Sequence, residues 1–256
     1  MALALPQAAM LWDETMSILD QAVMNNAQWC DMMCRAHAAP GHFAPAAWVS
    51  INNTPPLYPN MVTTTANGMA SQFKEAESLI DKRPDLPSAV KDSFRRLNLN
   101  TLGFTELFDA QWFARAPAPV SENLLGKAKP WQYLSTGPEL VAWEKAWRDA
   151  GGHEDILETP LFPPTLLNEP GVSFLASKSA GNVMAGAVAY AASGVIGVTN
   201  FFSKPSEAAS QFAACLNCLY VTHPTIITVG YEHEDTLAEY AGLNLQLLGP
   251  LRVWMR

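Results

Sequence analysis

The chain has 256 residues, of which 49% are hydrophobic and 16% are charged. This composition excludes an intrinsically disordered protein, which needs low hydrophobicity and a high net charge. The 24 acidic and 16 basic residues give a net charge of −8, and the longest basic run is the pair Arg95–Arg96. A nucleic-acid-binding protein and a protein that binds an anionic membrane are therefore both disfavoured.

The sequence pattern predicts neither a membrane span nor a secretory leader. No apolar run reaches the roughly 18 residues of a membrane-spanning helix. Residues 1–12 lack the basic region and the cleavage site of a signal peptide. We therefore expect a cytoplasmic protein.

A long amphipathic helix is predicted first along the chain. Asp13 and Glu14 lie at its start, where the helix dipole favours acidic side chains, and Pro40 and Gly41 close the segment. Its apolar residues recur at steps of three or four and form one face: Trp12, Met16, Leu19, Val23, Ala27, Cys30 and Cys34.

The other elements of the first half are shorter. Residues 54–59, Thr-Pro-Pro-Leu-Tyr-Pro, are either a rigid connector or the rim of a pocket. In chain order we predict strands over 48–51 and 61–65, helices over 71–82 and 87–98, and an extended segment over 104–115.

Residues 116–130 change in character, with Ala-Pro-Ala-Pro-Val followed by Ser, Asn, Gly and Lys. This composition is typical of a linker. We place an N-terminal domain at 1–116, the linker at 117–128 and a C-terminal domain at 129–256.

The second half alternates strands and helices. Ala180-Gly181-Asn182 and Ser193-Gly194 suit tight turns between antiparallel strands. The pattern predicts an α+β protein with a mixed sheet, in which an antiparallel meander precedes a parallel crossover and a final strand pair. The strands are 131–134, 172–177, 183–191, 195–202, 226–231, 245–248 and 251–255, and the helices are 140–151, 206–220 and 235–242.

This order of elements resembles the GCN5-related N-acetyltransferase (GNAT) fold of the acyl-CoA N-acyltransferases. Such proteins commonly end with the pattern N-x-x-A-x-x-x-Y-x-x-x-G-F on the last helix, and residues 233–245 correspond to it. Tyr240 matches the tyrosine, and Asn244 replaces the glycine of a left-handed turn. His233, Thr236 and Leu245 depart from the pattern.

The resemblance also implies a coenzyme A loop, Q/R-x-x-G-x-G/A, between the fourth strand and the next helix. Only Ala208 matches it here. Pro205 removes a backbone donor, and Glu207 adds negative charge where phosphates are expected. Lys204 and the Ser206 hydroxyl offer partial compensation. The residues that the resemblance assigns to binding acetyl-CoA, or another acyl-CoA, are Asn200, Phe201, Phe202, Ser203, Lys204, Ser206, Glu207 and Ala208.

The first half resembles an abbreviated GNAT-like unit. The helix predicted over 87–98 is followed by Gly103-Phe104 and a strand, as in the closing segment of the second half. We therefore expect a tandem with an incomplete first copy.

In this family an amine attacks the acetyl-CoA thioester, a base takes the amine proton, and an acid protonates the leaving thiolate. The motif position makes Tyr240 the candidate acid. The competing interpretation is that its ring packs on the sheet. Glu232 and His233 end the fifth strand beside the expected substrate, and a histidine that titrates near neutrality suits a base. The competing interpretation is that both are solvated loop residues.

The four cysteines form two pairs with helical spacing. Cys215-Leu-Asn-Cys218 lies mid-helix, whereas redox CxxC motifs lie at helix N-termini. Cys30, Cys34 and His37 have a spacing that suits a metal, but both cysteines fall on the apolar face. We interpret all four as core residues and predict no metal site.

Together these patterns predict transfer of an acyl group from acetyl-CoA to a small-molecule amine held between the halves. The alternative is a non-catalytic GNAT-fold ligand-binding or regulatory protein, which the degenerate loop favours. A third interpretation is a thiol or metal protein. The tryptophan content, interpreted as partly surface-exposed, is compatible with a homodimer.

Overall fold

The structure, a computed structural model, describes residues 16–117, 126, 130–151 and 159–256. Within these residues eleven strands form one continuous sheet in the order β1-β2-β3-β4-β11-β5-β10-β9-β8-β7-β6. The strands are β1 His42–Phe43, β2 Ala47–Val49, β3 Met61–Thr63, β4 Ala89–Asp92, β5 Thr105–Arg115, β6 Trp131–Tyr133, β7 Val172–Ser179, β8 Asn182–Ala192, β9 Val195–Ser203, β10 Thr228–Glu232 and β11 Gln246–Met255. The helices are α1 Ile18–Ala36, α2 Met69–Lys82, α3 Gly137–Gly151, α4 Ala208–Thr222 and α5 Glu234–Glu239.

Helix α1 confirms the predicted amphipathic helix. The Ser17 hydroxyl caps it by accepting a hydrogen bond from the Asp20 backbone N–H at 3.1 Å. Its apolar side chains, including Val23, Ala27 and Cys30, are buried. The early start is wrong, because Met16 and Ser17 are not helical and the extended Ser17 is the N-cap, so α1 begins at Ile18. Residues 12–14 lie outside the described residues.

The predicted meander and crossover of the second half are also confirmed. Strands β7, β8 and β9 pair antiparallel, and β9 then pairs in parallel with β10 across α4. Residues 180–181 and 193–194 all have positive φ, as expected of the two hairpin turns. The fold class is α+β with a mixed sheet.

A parallel strand–helix–strand unit occurs twice, as β3-α2-β4 and as β9-α4-β10. A long closing strand follows each unit, but each closing strand pairs with the unit of the other half. Strand β5, which closes the first half, pairs with β10, whereas β11, which closes the second half, pairs with β4 and β5. The two halves thus share one sheet.

The linker placed at 117–128 lies almost wholly outside the described residues, and the domain limits stay a prediction.

The helix predicted over 87–98 is wrong. Residues 89–92 form β4, and the chain then turns where the Asp92 carboxylate accepts the Leu97 N–H at 2.7 Å. Val90 is fully buried in the core that contains Leu79 and Trp254. A short apolar run has too few residues to distinguish a buried strand from a helix by periodicity.

The two predicted terminal strands are also wrong, because they form the single strand β11. Pro250 cannot donate to a ladder and Gly249 has φ +153. The pairing with β5 shifts register between Leu247 and Gly249. This irregularity takes up the Gly-Pro pair without ending the strand.

Helices cover both faces of the second half. On one face Phe212, Leu216 and Leu219 of α4 pack on β8 and β9. On the other, Trp143 of α3 lies in edge-on contact with Phe162, Phe174 and Phe202.

All seven described tryptophans are buried, so the premise of a tryptophan-rich surface is wrong. The homodimer stays a prediction. None of the helices in the described residues has the length and apolarity to cross a membrane.

Candidate functional site

Strands β9 and β10 separate towards their carboxyl ends. Their parallel pairing is confined to Thr228 with Ile196 and Val229 with Gly197. Further along β9, the pairing with β8 shifts register and Asn200 adopts φ +51. Asparagine tolerates this left-handed conformation, which bends the strand away from β10.

A cavity of about 300 Å³, here called the splay cavity, lies where the strands separate. Tyr231 packs on the α1 side of the sheet and Phe212 belongs to α4 on the opposite side, and both line the cavity. Residues from both faces of the sheet therefore line it. The first half contributes Leu57 and Phe108, and the predicted residues Asn200, Phe201, Glu232 and His233 also line it.

Glu232 is the titratable carboxyl group of the splay cavity. Burial raises the pKa of Glu232 to about 7, although the His233 backbone N–H, which hydrogen-bonds the carboxylate, acts in the opposite direction. A carboxylate with this pKa takes up and releases protons near neutrality, as a general base must.

His233 lies beside Glu232 but is exposed. It precedes α5 in an extended conformation, and its ring centroid lies 5.0 Å from that of Phe108 of the first half. Its position places an imidazole at the mouth of the splay cavity.

Tyr240 lies outside the splay cavity. Its ring is buried and stacks on Phe212, with centroids 4.8 Å apart. Phe212 thus stands between Tyr240 and the splay cavity, and Tyr240 lines a neighbouring cavity with Leu237 and Leu247. Burial, followed by the charges of Glu232 and Glu239, raises the pKa of the Tyr240 hydroxyl.

The predicted coenzyme A loop forms a tight 3₁₀ turn over Pro205–Glu207. The Glu207 N–H donates to the Lys204 carbonyl at 2.9 Å, and the Ala208 N–H donates to the Pro205 carbonyl. These two N–H groups are therefore unavailable to a phosphate. Lys204 and Ser206 are exposed beside the start of α4.

The remaining predicted cofactor residues divide between the faces of the sheet. The ring of Phe201 packs on Phe212, at 4.9 Å between centroids, and lines the splay cavity. The ring of Phe202 packs on Trp143 at 5.2 Å, within the core under α3. The Ser203 hydroxyl donates to the Lys204 carbonyl at 3.1 Å.

Sequence reasoning missed a buried lysine next to this site. Lys91 of β4 donates from Nζ to Asn26 Oδ1 at 2.8 Å and to the Tyr231 hydroxyl oxygen at 3.1 Å. Tyr231 in turn lines the splay cavity, so a cation from the first half orients a residue of the site. No local pattern marks Lys91, because lysine in a short strand is normally a surface residue.

The cysteines behave as the core interpretation predicts. All four are free and buried, and burial raises the pKa of the Cys215 and Cys218 thiols, Cys218 to about 11. The His37 ring contacts the Leu161 carbonyl oxygen at 2.8 Å. Among the described residues no three His, Cys, Asp or Glu side chains are placed to hold a metal ion.

No protein-family model matches the sequence, and the search of curated proteins found no match. Solved structures do match. A GCN5-related N-acetyltransferase from Kribbella flavida has a TM-score of 0.59 at 14% identity, over 94% of this chain and 96% of its own.

Two further matches cover most of both chains. A GCN5-related N-acetyltransferase from Sphaerobacter thermophilus has a TM-score of 0.51 at 10% identity, over 93% of this chain and 92% of its own. A functionally unknown conserved protein from Staphylococcus epidermidis has a TM-score of 0.52 at 9% identity, over 89% and 98%. Identities this low establish the fold and leave the activity to be argued from the site.

Proposed function

We propose that this chain, which has the fold of the GCN5-related N-acetyltransferases, transfers an acyl group from an acyl-CoA to a small-molecule amine. Acetyl-CoA is the donor that we propose. The observation that carries the proposal is Glu232, a carboxyl group with a pKa of about 7 in the cavity between the separated strands. Such a group is matched to deprotonating an amine near neutral pH.

The reaction needs a neutral amine, because only its free lone pair attacks the thioester carbonyl. Glu232 takes a proton from the ammonium form, directly or through a water molecule. The new C–N bond forms a tetrahedral oxyanion, and backbone N–H groups near the Asn200 bend are proposed to stabilise it. When the C–S bond breaks, the thiolate takes a proton and the amide leaves with CoA.

The acceptor is proposed to enter between the halves of the chain. Leu57 and Phe108 of the first half and Phe201 and Phe212 of the second line the splay cavity. These apolar side chains suit the carbon skeleton of the amine. The net charge of −8 favours approach of a cationic acceptor.

The direct test incubates the protein with acetyl-CoA and small amines such as spermidine and tryptamine, and follows released CoA with a thiol reagent. The four cysteines of the chain are buried, so they give little background. We expect amine-dependent CoA release. Its absence with every amine, despite acetyl-CoA binding, would support the non-catalytic alternative.

That alternative has one observation in its favour. The turn over Pro205–Glu207 uses the Glu207 and Ala208 N–H groups internally. A pyrophosphate would have fewer backbone donors there than the family loop provides. We therefore expect weak binding of acetyl-CoA, in the high micromolar range.

Lys204→Ala is expected to weaken acetyl-CoA binding about fivefold, because Lys204 is the cation nearest the degenerate loop and the contact is exposed. Calorimetric titration measures it. Lys74→Ala, which removes an exposed lysine from α2, is the matched control and should leave the affinity unchanged. Equal effects of the two variants on affinity would indicate that the acetyl-CoA phosphates do not bind at Lys204.

Tyr240→Phe tests the motif-based acid. Because the Phe212 ring separates Tyr240 from the splay cavity, we expect kcat to change by less than about threefold. The thiolate then receives its proton from Glu232 or from water. A fall of about a hundredfold would instead identify Tyr240 as the acid and require Phe212 to move during turnover.

A further inference from the structure

A second cavity, of about 300 Å³, lies at the edge of the first half and is here called the Arg83 cavity. Residues 53–58 and 86–89 form its walls, and Arg83 at the end of α2 forms part of its lining. It shares only Leu57 with the splay cavity among the lining residues of the described chain. A ligand can therefore be assigned to one cavity or the other by substitution.

Arg83 is 4% exposed, yet no carboxylate lies within 4.0 Å of it in the described part of the chain. Its partners are the Ser88 hydroxyl, the side-chain amide oxygen of Asn53 and the backbone carbonyl oxygens of Ile51, Asn52 and Pro87. All are uncharged. A buried cation without a counter-charge is costly in a protein, and burial accordingly lowers the pKa of Arg83.

Counting its hydrogen bonds leaves one N–H group of Arg83 without a partner among the described residues. A guanidinium has five N–H groups, one on Nε and two on each terminal nitrogen. Nε donates to Ser88, and Nη1 uses both of its hydrogens on the backbone carbonyls of Ile51 and Asn52 and the side-chain oxygen of Asn53. Nη2 donates to the Pro87 carbonyl at 3.0 Å, which leaves its second hydrogen without a partner among the described residues.

The rim of the Arg83 cavity is largely apolar, with Asn53 as an exposed polar residue. Leu57, Leu86 and Met255 are 55%, 45% and 38% exposed, and prolines 55, 56 and 87 complete the rim. Large apolar side chains exposed around a concave site, with a few polar groups among its lining residues, are typical of a small-molecule site.

We propose that the Arg83 cavity binds a small carboxylate with an apolar body. The carboxylate supplies the missing counter-charge and accepts the remaining Nη2 hydrogen, and the apolar body covers Leu86 and Met255. One unpartnered Arg83 donor and a largely apolar rim favour a carboxylate over a phosphate, whose oxygens need several donors.

The test compares octanoate with octanamide, which has the same shape without the charge, by calorimetric titration of the full chain. We expect saturable octanoate binding at millimolar concentration or below and at least about tenfold weaker octanamide binding. Equal affinities, or no saturable binding of octanoate, would overturn the proposal.

Arg83 also joins residues 51–53 to the end of α2, so its own substitution endangers the fold. The decisive variant is therefore Leu86→Glu, which places a negative charge at the exposed rim. We expect it to weaken octanoate binding at least about fivefold. The matched control Val141→Glu, at a 66% exposed site on α3 that lines neither cavity, should leave the affinity unchanged.

Two results would assign octanoate to another site. One is an unchanged affinity in Leu86→Glu, and the other is displacement of octanoate by acetyl-CoA, which points to the splay cavity. Neither depends on turnover, so this proposal and the proposed acyl transfer fail or succeed separately.

Discussion

Glu232→Gln is expected to lower the kcat of acyl transfer by about a hundredfold to a thousandfold, the range typical of a lost general base. The amide has nearly the shape of the carboxylate but cannot take the amine proton. The affinity for acetyl-CoA should stay unchanged, because no phosphate contact is assigned to Glu232. Steady-state kinetics with one accepted amine measures both quantities.

The pH profile gives this prediction a second readout. The pKa of Glu232 is raised to about 7, so the carboxylate becomes protonated and the base is lost as the pH falls through 7. The kcat of the wild type should therefore fall on the acid side, whereas the residual kcat of Glu232→Gln should not. Glu234→Gln, which changes an exposed neighbour outside the splay cavity, should keep the wild-type profile.

The same raised pKa predicts a stability effect that needs no substrate. The ordinary pKa of a glutamate is 4.5. Because the folded state disfavours the charged form, wild-type stability falls as the pH rises from 4.5 to 7, by about 3 kcal/mol in total. The Glu232→Gln variant should not show this loss of stability, because its amide does not ionise.

Thermal unfolding should therefore show Glu232→Gln to be more stable than the wild type at pH 8 and similar to it at pH 4. If this difference is found without an effect on kcat, the buried environment of Glu232 is right and its role as base is wrong. If neither effect is found, the geometry of the splay cavity is wrong.

Gly197→Ala is expected to lower the free energy of unfolding by about 3 kcal/mol, through overpacking and lost hydrogen bonds. A Cβ atom on Gly197 would lie 2.0 Å from Asn25 Oδ1. Asn25 is buried and donates from Nδ2 to the Tyr190 carbonyl at 2.8 Å and the Ala192 carbonyl at 3.1 Å. The asparagine cannot retreat without giving up these bonds, which attach α1 to β8.

The substitution should also affect the site, because Gly197 and Val229 form the last parallel pair before the strands separate. We expect weaker acetyl-CoA binding along with the lost stability. Urea unfolding measures the stability, and Gly242→Ala is the control, since a Cβ there meets nothing within 4 Å. Equal midpoints for the two variants would contradict the close α1–β9 packing.

Local sequence patterns were sufficient to predict most of the secondary structure of the second half. The hairpins after β7 and β8 and the crossover through α4 follow from alternation, turn residues and helical spacing, which involve neighbours in the chain. Asn244 illustrates this, because its predicted left-handed conformation is present with φ +54. The burial of Cys215 and Cys218 likewise follows from their place on the apolar face of one helix.

The candidate site was only partly predictable. Glu232 and His233 were selected because they end the fifth strand, beside the substrate position that the GNAT resemblance implies, and both line the splay cavity. The raised pKa of Glu232 was not predictable, since it depends on what covers the carboxyl group. The contact of Lys91 with Tyr231 joins residues 140 positions apart, and no periodicity relates them.

Element types were predicted correctly wherever a period repeated several times, and so were the turns between those elements. Tertiary structure decided that residues 89–92 are a strand, that the closing strands β5 and β11 each pair with the unit of the other half, and that Phe212 separates Tyr240 from the splay cavity. The two kinds of feature differ in the range of the interactions that produce them. Turn chemistry and amphipathic periodicity act over a few residues, whereas strand pairing and burial depend on segments distant in the chain.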